Sequence, residues 1–253
     1  MSKTTAPNVL VVGANRGIGL KILESFTNRP WNVTGTIRPQ TTNDPSFEDL
    51  KRTGARVLEL DYLDENTIEK AAADYGDLPL DVLVNVGGLP PSPKPWCEQT
   101  SEMMVEKFRV MAVGPFLAVK HFLPQLEMAE QPRIVNISSA FGSLSSKHRP
   151  RRLDRYVAAD IIEANTFGTC MAYRTAKAAL NQNSVTLARE WEREGRDLTI
   201  VCVEPGFLST RLTNFDGEDD METCIRGVME VIDGITRDDN GAFFKWDGSK
   251  IPF

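Results

Sequence analysis

A hydrophobic run and a glycine-rich turn stand near the start of the chain, Asn8-Val9-Leu10-Val11-Val12-Gly13-Ala14-Asn15-Arg16-Gly17-Ile18-Gly19, and lead into the helical pattern of residues 20–26. The run is short, apolar and rich in β-branched residues, which predicts a buried strand. Strand, glycine turn and helix in this order are the context of a dinucleotide-binding fingerprint, because glycines let the backbone approach a pyrophosphate and the helix N-terminus supplies N–H donors. A turn that holds no ligand is the alternative. We expect the cofactor contacts of this turn to come from Gly13, Asn15, Arg16, Gly17, Ile18 and Gly19.

Two arginines indicate which dinucleotide, NADPH or NADH, the turn is expected to bind. A second strand is predicted over residues 31–37, and Arg38 follows it where an NAD-binding protein usually carries an acidic residue for the ribose 2′-hydroxyl. A guanidinium can bind a phosphate bidentately, so Arg38, together with Arg16 in the turn, favours the 2′-phosphate of NADPH over NADH. The alternative, for each arginine taken alone, is that it is a solvated surface charge.

Two further strand ends carry polar residues and glycines. Residues 56–60 and 80–84 predict a third and a fourth strand, followed by Asp61-Tyr62 and by Asn85-Val86-Gly87-Gly88. Because the carboxyl ends of strands in an open α/β sheet face the ligand, we expect these segments to reach the cofactor. Asp61 would bond the adenine amino group, unless it only caps its own loop. The residues concerned are Asp61, Tyr62, Asn85 and Gly87.

Tyr173 and Lys177 are candidates for the chemistry. They lie four residues apart on a helix predicted over residues 173–194, so their side chains share a face. A free phenol has a pKa of about 10, and a neighbouring cation lowers that pKa. The pair alone is weak evidence, since this spacing is common on solvated helices. Ser139 ends a fifth predicted strand, residues 133–139, and would lie at the cofactor end of the sheet.

The alternation of strands and helices predicts the fold class. A sixth strand is expected over residues 198–203, and helices over residues 65–75 with Asp64 as N-cap, 101–126 with a bend at Gly114-Pro115, and 221–235. We therefore predict an α/β protein, one Rossmann-like domain over residues 1–253. Its sheet would be doubly wound and parallel, with about seven strands and helices on both faces.

Charge and residue composition argue against several classes of binding partner. The 253 residues carry a formal net charge of -6, which argues against a nucleic acid or an anionic membrane as partner. No apolar run reaches the roughly 20 residues that span a bilayer, and the first residues lack the apolar core of a signal peptide. The four cysteines show no CxxC spacing and only two histidines are present. We expect reduced thiols, no metal site and a cytoplasmic protein.

These motifs together, in this order, resemble the short-chain dehydrogenase/reductase family over essentially the whole chain. The matching pieces are the glycine turn, Asn85-Val86-Gly87-Gly88, Ser139, Tyr173-x-x-x-Lys177, and Pro205-Gly206 followed by Thr210. Residues 173–181 and the ending 241–248 resemble the branch of C-factor-like and sniffer-like carbonyl reductases.

The resemblance implies a role for each of these residues. Ser139 would hold the substrate carbonyl oxygen, and Tyr173 would exchange a proton with it. Lys177 would hold the nicotinamide ribose and lower the pKa of Tyr173. Thr210, preceded by Pro205 and Gly206, would bind the nicotinamide carboxamide.

The chain departs from the family pattern at three places. Val12 stands where the turn usually opens with Thr, and Met111 stands where an Asn often supports a relay water. Because Met cannot replace the amide hydrogen bonds, we expect proton resupply to be slower or to use another route. The third departure is an insert at about residues 144–171, with a basic run over 147–156 and a helix over 157–164. It would recognise an acidic or phosphorylated substrate, or else form a solvated charged helix.

The predicted function is reduction of a ketone, aldehyde or imine of small-to-medium size with NADPH, Tyr173 serving as proton donor. Two alternatives keep the fold: a non-redox isomerisation, dehydration or cyclisation, and a non-catalytic NADPH-binding regulator. The intact set Ser139, Tyr173 and Lys177 argues against both. The predicted partner is a small-molecule substrate, with a homodimer or homotetramer expected if helices 101–126 and 173–194 expose apolar residues.

Overall fold

A seven-stranded, wholly parallel sheet forms the centre of the molecule. The computed structural model describes residues 6–144 and 168–253. In the sheet the strands stand in the order β3-β2-β1-β4-β5-β6-β7, which confirms the predicted doubly wound parallel sheet. The strands are β1 (Asn8–Val12), β2 (Asn32–Ile37), β3 (Arg56–Glu59), β4 (Val82–Asn85), β5 (Arg133–Ile137), β6 (Thr199–Glu204) and β7 (Phe243–Lys245).

Helices cover both faces of this sheet. Residues of α1, α2 and α8 pack into the core on one face, and residues of α3, α5, α6 and α7 pack into the core on the other. The helices are α1 (Gly17–Thr27), α2 (Ser46–Arg52), α3 (Glu65–Tyr75), α4 (Ser101–Phe108), α5 (Gly114–His121), α6 (Leu123–Glu127), α7 (Met171–Glu194) and α8 (Met221–Gly234).

The central strands are apolar on both sides, as expected for a sheet with helices on each face. In β1, Leu10 and Val12 join one core, whereas Val9 and Val11 join the other. All four side chains are at most 2% exposed. A continuous apolar run, with no polar alternation, is therefore what this position in the sheet requires.

The strand order reverses between β1 and β4. The chain builds β2 and β3 on one side of β1 and then returns to the other side, where Val12 pairs with Asn85. The crevice outside the carboxyl ends of two such strands is where ligands bind in open α/β sheets. The candidate site lies at this edge.

The helix expected over residues 101–126 is interrupted. Its first part, α4, ends at Phe108, and a π-helical turn over Arg109–Val113 leads into α5 at Gly114. Pro115 has no N–H to donate back along the helix, so the hydrogen-bond ladder is broken here. A Cβ added to Gly114 would lie 2.3 Å from Cβ of Tyr62, so glycine at this position lets α5 approach the end of β3.

The bounds of the other helices and strands agree with those predicted from the sequence to within a few residues. Two elements of the structure were not predicted or were not given bounds. The helix α3 has the predicted bounds, and Asp64 accepts a hydrogen bond from the N–H of Asn66 at 3.1 Å. The short helix α2 was not predicted, nor were the bounds of the three-residue strand β7. Most of the predicted insert, including residues 147–156 and 157–164, lies outside the described residues.

In residues 6–144 and 168–253, no helix is both long enough and apolar enough to cross a membrane.

Candidate active site

The glycine turn joins β1 to α1 at the point where the strand order reverses. Gly13 has a φ of +82°, a conformation that favours glycine, and its N–H donates to Thr36 Oγ1 at 3.1 Å. A Cβ on Gly19 would lie 2.2 Å from the carbonyl oxygen of Gly13, so a side chain there would prevent the helix from packing on the turn. Gly17 and Ile18 form the first turn of α1. The backbone is thus presented at a helix N-terminus, which is an anion-binding arrangement.

Asn15 anchors this turn to the segment after β2. Its Nδ2 donates to Ser46 Oγ at 2.7 Å, and the N–H of Ser46 donates to Asp44 Oδ1 at 2.9 Å. Hydrogen bonds from Ser46 lower the pKa of Asp44 to about 2. The side chain of Asn15 therefore positions the turn, whereas the sequence predicted only a cofactor contact.

Two guanidinium groups, those of Arg38 and Arg211, lie close enough to Arg16 to affect its charge. The sequence predicts Arg16 and Arg38 for this position but not Arg211, which comes from the loop after β6. The pKa of Arg16 is lowered by partial burial first, and then by the charges of Arg211 and Arg38. Arg211 Nη1 lies 3.4 Å from Asp44 Oδ2. Three cations against one carboxylate leave a positive surface at the end of β2.

The ends of β3 and β4 are tied together below the cleft. The hydroxyl of Tyr62 donates to Asn85 Oδ1 at 2.8 Å, and Asn85 Nδ2 donates to Asn136 Oδ1 at 2.8 Å. A Cβ on Gly87 would lie 2.5 Å from Cε2 of Tyr62, so the backbone just after β4 packs on this ring. The Tyr62 side chain thus packs in the interior. Asp61 is buried and accepts from the N–H of Leu63 at 2.9 Å, which caps its own loop.

Ser139, Tyr173 and Lys177 come together at the carboxyl end of β5. Lys177 Nζ donates to the carbonyl oxygen of Ile137 at 2.7 Å and lies 5.9 Å from the centre of the Tyr173 ring. Both side chains belong to α7 and are buried. Ser139 lies close enough to Tyr173 for a hydrogen-bond interaction that lowers the pKa of the phenol. The arrangement suits proton transfer to an oxygen held between the two hydroxyls.

The pKa values in this set differ from the sequence expectation. Burial is the largest effect and raises the pKa of Tyr173 to about 12, so the expected lowering by Lys177 does not dominate. Burial also lowers the pKa of Lys177 to about 8. Both shifts have the same cause, because a low-dielectric surrounding disfavours the charged form of each group. At neutral pH Tyr173 is therefore a protonated phenol, which is the form that acts as an acid.

The loop after β6 closes the other side of the cleft. Gly206 has a φ of +93°, and its N–H donates to Glu204 Oε1 at 3.0 Å. The N–H of Thr210 donates to Thr213 Oγ1 at 3.0 Å, and Thr210 Cγ2 would be 3.5 Å from a Cβ on Gly17. The segment Pro205-Gly206 through Thr210 therefore reaches back to the glycine turn.

Comparisons with known proteins identify the family. A sequence model described as short chain dehydrogenase matches residues 7–151, more than half of the chain. The chain belongs to the short-chain dehydrogenase family. The short-chain dehydrogenase RED3 of Pyricularia oryzae is 27% identical over 277 residues that cover 100% of both chains. The family prediction is confirmed, and this family is one of oxidoreductases.

Solved structures share the fold of this short-chain dehydrogenase. An NADPH-bound carbonyl reductase from chicken fatty liver is similar with a TM-score of 0.83 at 24% identity, covering 98% of this chain and 99% of that one. The carbonyl reductase Sniffer of D. melanogaster has a TM-score of 0.81 at 24% identity, covering 98% of this chain and 100% of that one.

Met111 of this short-chain dehydrogenase lies fully buried in the π-helical turn. A different amide reaches this turn: Asn183 Nδ2, on α7, donates to the carbonyl oxygen of Ala112 at 3.3 Å. The bond joins residues 71 positions apart, and no spacing pattern in the sequence signals it. Asn183 therefore links the turn to the helix that carries Tyr173 and Lys177.

Glu204 is a further titratable group of the dehydrogenase site that the sequence did not indicate. Burial raises its pKa to about 7 from 4.5; Asp219 and Asp247 act in the same direction, whereas the Gly206 N–H and Lys245 oppose the shift. Below pH 4.5 both the folded and the unfolded carboxyl are protonated. As pH rises from 4.5 to about 7, the unfolded chain ionises first, so the free energy of unfolding falls.

The variant Glu204→Gln is therefore expected to be more stable than the unmodified dehydrogenase above pH 7, by about 1–3 kcal/mol, and nearly equal to it at pH 4.5. Glutamine can still accept from Gly206. Urea unfolding at pH 4.5 and pH 8 measures the difference, with Glu190→Gln, an exposed position on α7, as control. A variant that is less stable at pH 8 than the unmodified chain would contradict the raised pKa.

Proposed function

We propose that this short-chain dehydrogenase is an NADPH-dependent carbonyl reductase in which Tyr173 donates the proton. The observation that carries the proposal is the convergence of Ser139, Tyr173 and Lys177 at the same edge of the sheet as the glycine turn, with Tyr173 in its protonated form. A protonated phenol next to a second hydroxyl can bind and protonate a carbonyl oxygen. Reduction of a ketone, aldehyde or imine needs a proton at that place.

The chain's own residues would act as follows. Ser139 would donate a hydrogen bond to the carbonyl oxygen, and Tyr173 would transfer its proton to the same atom. Lys177 has a pKa of about 8 and is mostly protonated at neutral pH, so its charge would stabilise the phenolate that remains. When bound, the nicotinamide would supply the hydride for the carbonyl carbon.

The residues at this edge of the sheet fit NADPH. The glycine turn and the first turn of α1 would hold the pyrophosphate. Arg38 and Arg211 both repel Arg16, and a bound anion would relieve that repulsion, which suits the 2′-phosphate. Asp61, Asn85 and Gly87 would line the middle of the cleft, and Pro205, Gly206 and Thr210 the nicotinamide end. The NADPH named with the chicken carbonyl reductase supports this choice.

The variant Arg38→Ser tests the cofactor. We expect it to weaken NADPH binding about 10- to 100-fold and NADH binding less than about 3-fold, because only NADPH carries the 2′-phosphate. Titration monitored by nicotinamide fluorescence gives both constants. Arg52→Ser is the matched control, since Arg52 is an exposed arginine of α2 that pairs with Asp49 at 2.8 Å. Equal losses for both cofactors would contradict the NADPH preference, and binding of neither by the unmodified chain would overturn the proposed function.

We further propose that two copies of the chain associate through α4 and α5. Large apolar side chains of these helices are exposed, and a contiguous exposed apolar patch is typical of an association surface. They are Met104, Val105, Phe108 and Phe116. This supports the expected homodimer or homotetramer.

A further inference from the structure

Besides Lys177, two more buried cationic side chains in the described residues have no carboxylate in ion-pair contact. Lys107 on α4 is 7% exposed and Arg174 on α7 is 8% exposed. Burial lowers the pKa of each, and for Lys107 it outweighs the opposing effect of its exposed neighbour Glu106. Lysine and arginine are almost never buried to this degree unless they are paired. A bound anion that is not among the described residues would explain why two charged side chains occupy buried positions.

The contacts that these two side chains do make are to neutral groups. Lys107 Nζ donates to the carbonyl oxygen of Pro90, in the loop between β4 and α4. Arg174 Nε donates to the carbonyl oxygen of Thr169 at 2.8 Å, and its guanidinium lies 3.9 Å from the centre of the Phe141 ring. A carbonyl dipole and an aromatic face offset only part of the desolvation of a full charge. The site keeps its positive charge.

Lys107 and Arg174 both lie near the thiol of Cys170, which in turn lies near the proposed proton donor Tyr173. Lys107 and Arg174 each lower the pKa of the Cys170 thiol, against the larger effect of its burial, and Cys170 in turn influences Tyr173. The helix α7 begins directly after Cys170 and has no acidic residue in its first turn. Its positive N-terminal end therefore adds to the potential of the two side chains.

Phe141 contacts both Arg174 and Tyr173, and so lies between the buried cations and the candidate catalytic residues. Its ring packs against the edge of Tyr173, with centroids 6.2 Å apart, while the guanidinium of Arg174 lies over the same ring. Phe141 also follows Ser139 by two residues, and its N–H donates to Ser139 Oγ at 3.2 Å. A ligand that reaches Ser139 and Tyr173 thus has a positive site beside it.

We propose that Lys107 and Arg174 form a subsite for the carboxylate of the substrate, so that the preferred carbonyl compounds are oxo acids. This inference rests on the proposed reductase function. The carboxylate would accept charge-assisted hydrogen bonds at the subsite, and the carbonyl oxygen of the same molecule would lie at Ser139 and Tyr173. The positive charge that the fold keeps without a partner would then be neutralised by the substrate.

A matched pair of substrates tests the subsite. Benzoylformate and its methyl ester carry the same ketone, but only benzoylformate is charged. We expect Lys107→Gln and Arg174→Gln each to lower kcat/KM for benzoylformate about 10- to 100-fold, mainly through KM, and to change kcat/KM for the ester less than about 3-fold. The variant Arg174→Lys should keep part of the preference for the acid, because it keeps the charge.

The control is Arg189→Gln, an exposed arginine on the same helix that pairs with Glu192 at 2.7 Å, and it should change neither substrate. Equal losses on acid and ester would overturn the subsite and leave the proposed reductase intact. If the unmodified chain reduces neither compound, calorimetric titration with benzoylformate decides. Weaker binding in Lys107→Gln and Arg174→Gln would support the subsite although the proposed function had failed, whereas unchanged or absent binding would overturn it.

Discussion

The variant Tyr173→Phe is expected to lower kcat for carbonyl reduction about 10²- to 10⁴-fold, because it removes the proposed proton donor. Only the hydroxyl is lost, and the ring keeps its contact with Phe141. Binding of NADPH should therefore change less than about 2-fold, since the effect belongs to the chemical step. The measurement is NADPH oxidation with a reactive ketone at saturating cofactor, followed by nicotinamide absorbance.

Tyr75→Phe is the matched control for this prediction. Tyr75 is also a buried tyrosine, at 3% exposed, and its hydroxyl donates to the carbonyl oxygen of Pro79 at 3.3 Å, away from the cleft. Loss of that hydroxyl should leave kcat within about 2-fold. If Tyr173→Phe retained more than a tenth of the activity, Tyr173 would not be the proton donor. An inactive unmodified chain that binds NADPH would instead favour the non-redox or regulatory alternatives.

The parts of the site that the sequence predicted depend on local pattern. The glycine turn between β1 and α1 was recognisable because strand, turn and helix follow each other within about 20 residues. Tyr173 and Lys177 were recognisable because the helical period places them on one face. Ser139 follows a strand, and strands of a parallel sheet end on the same side. Each inference needed only the residue types and their spacing.

The parts that the sequence did not predict depend on contacts between distant segments. Arg211 and Asp44 are 167 positions apart, and only the closed sheet brings their loops together. The burial of Lys107 and Arg174 is equally hidden, since charged residues within a helical pattern are ordinarily read as a solvated face. The side chain of Tyr62 points inward because Gly87 and Gly114 leave space for its ring. No periodicity encodes that fit.

The raised pKa of Tyr173 shows a further limit of spacing arguments. A lysine four residues away lowers the pKa of a phenol only where the charge of the lysine is the dominant effect. In this site both side chains are buried, and desolvation disfavours the phenolate and the ammonium alike. The balance depends on burial, which is a property of the whole fold.

The variant Gly19→Ala is expected to lower the free energy of unfolding by about 3 kcal/mol or more, a large part of the 5–15 kcal/mol typical of a folded protein. The added Cβ would lie 2.2 Å from the carbonyl oxygen of Gly13 and 3.0 Å from its carbonyl carbon. Both are backbone atoms, so no side-chain rotation relieves the overlap and α1 must move away from the turn. The midpoint of thermal unfolding should fall by roughly 6–12 °C, and NADPH binding should be lost with the geometry of the turn.

Gly234→Ala provides the matched control for this overlap. Gly234 is the last residue of α8, and a Cβ there would have no heavy atom within 4 Å. Alanine restricts the unfolded chain more than glycine does, so this variant should be unchanged or more stable by about 0.5–1 kcal/mol. Opposite signs for the same chemical substitution in two helices would assign the loss at Gly19 to the contact with Gly13. Equal losses at both positions would instead point to a general intolerance of alanine in these helices and would remove the steric explanation.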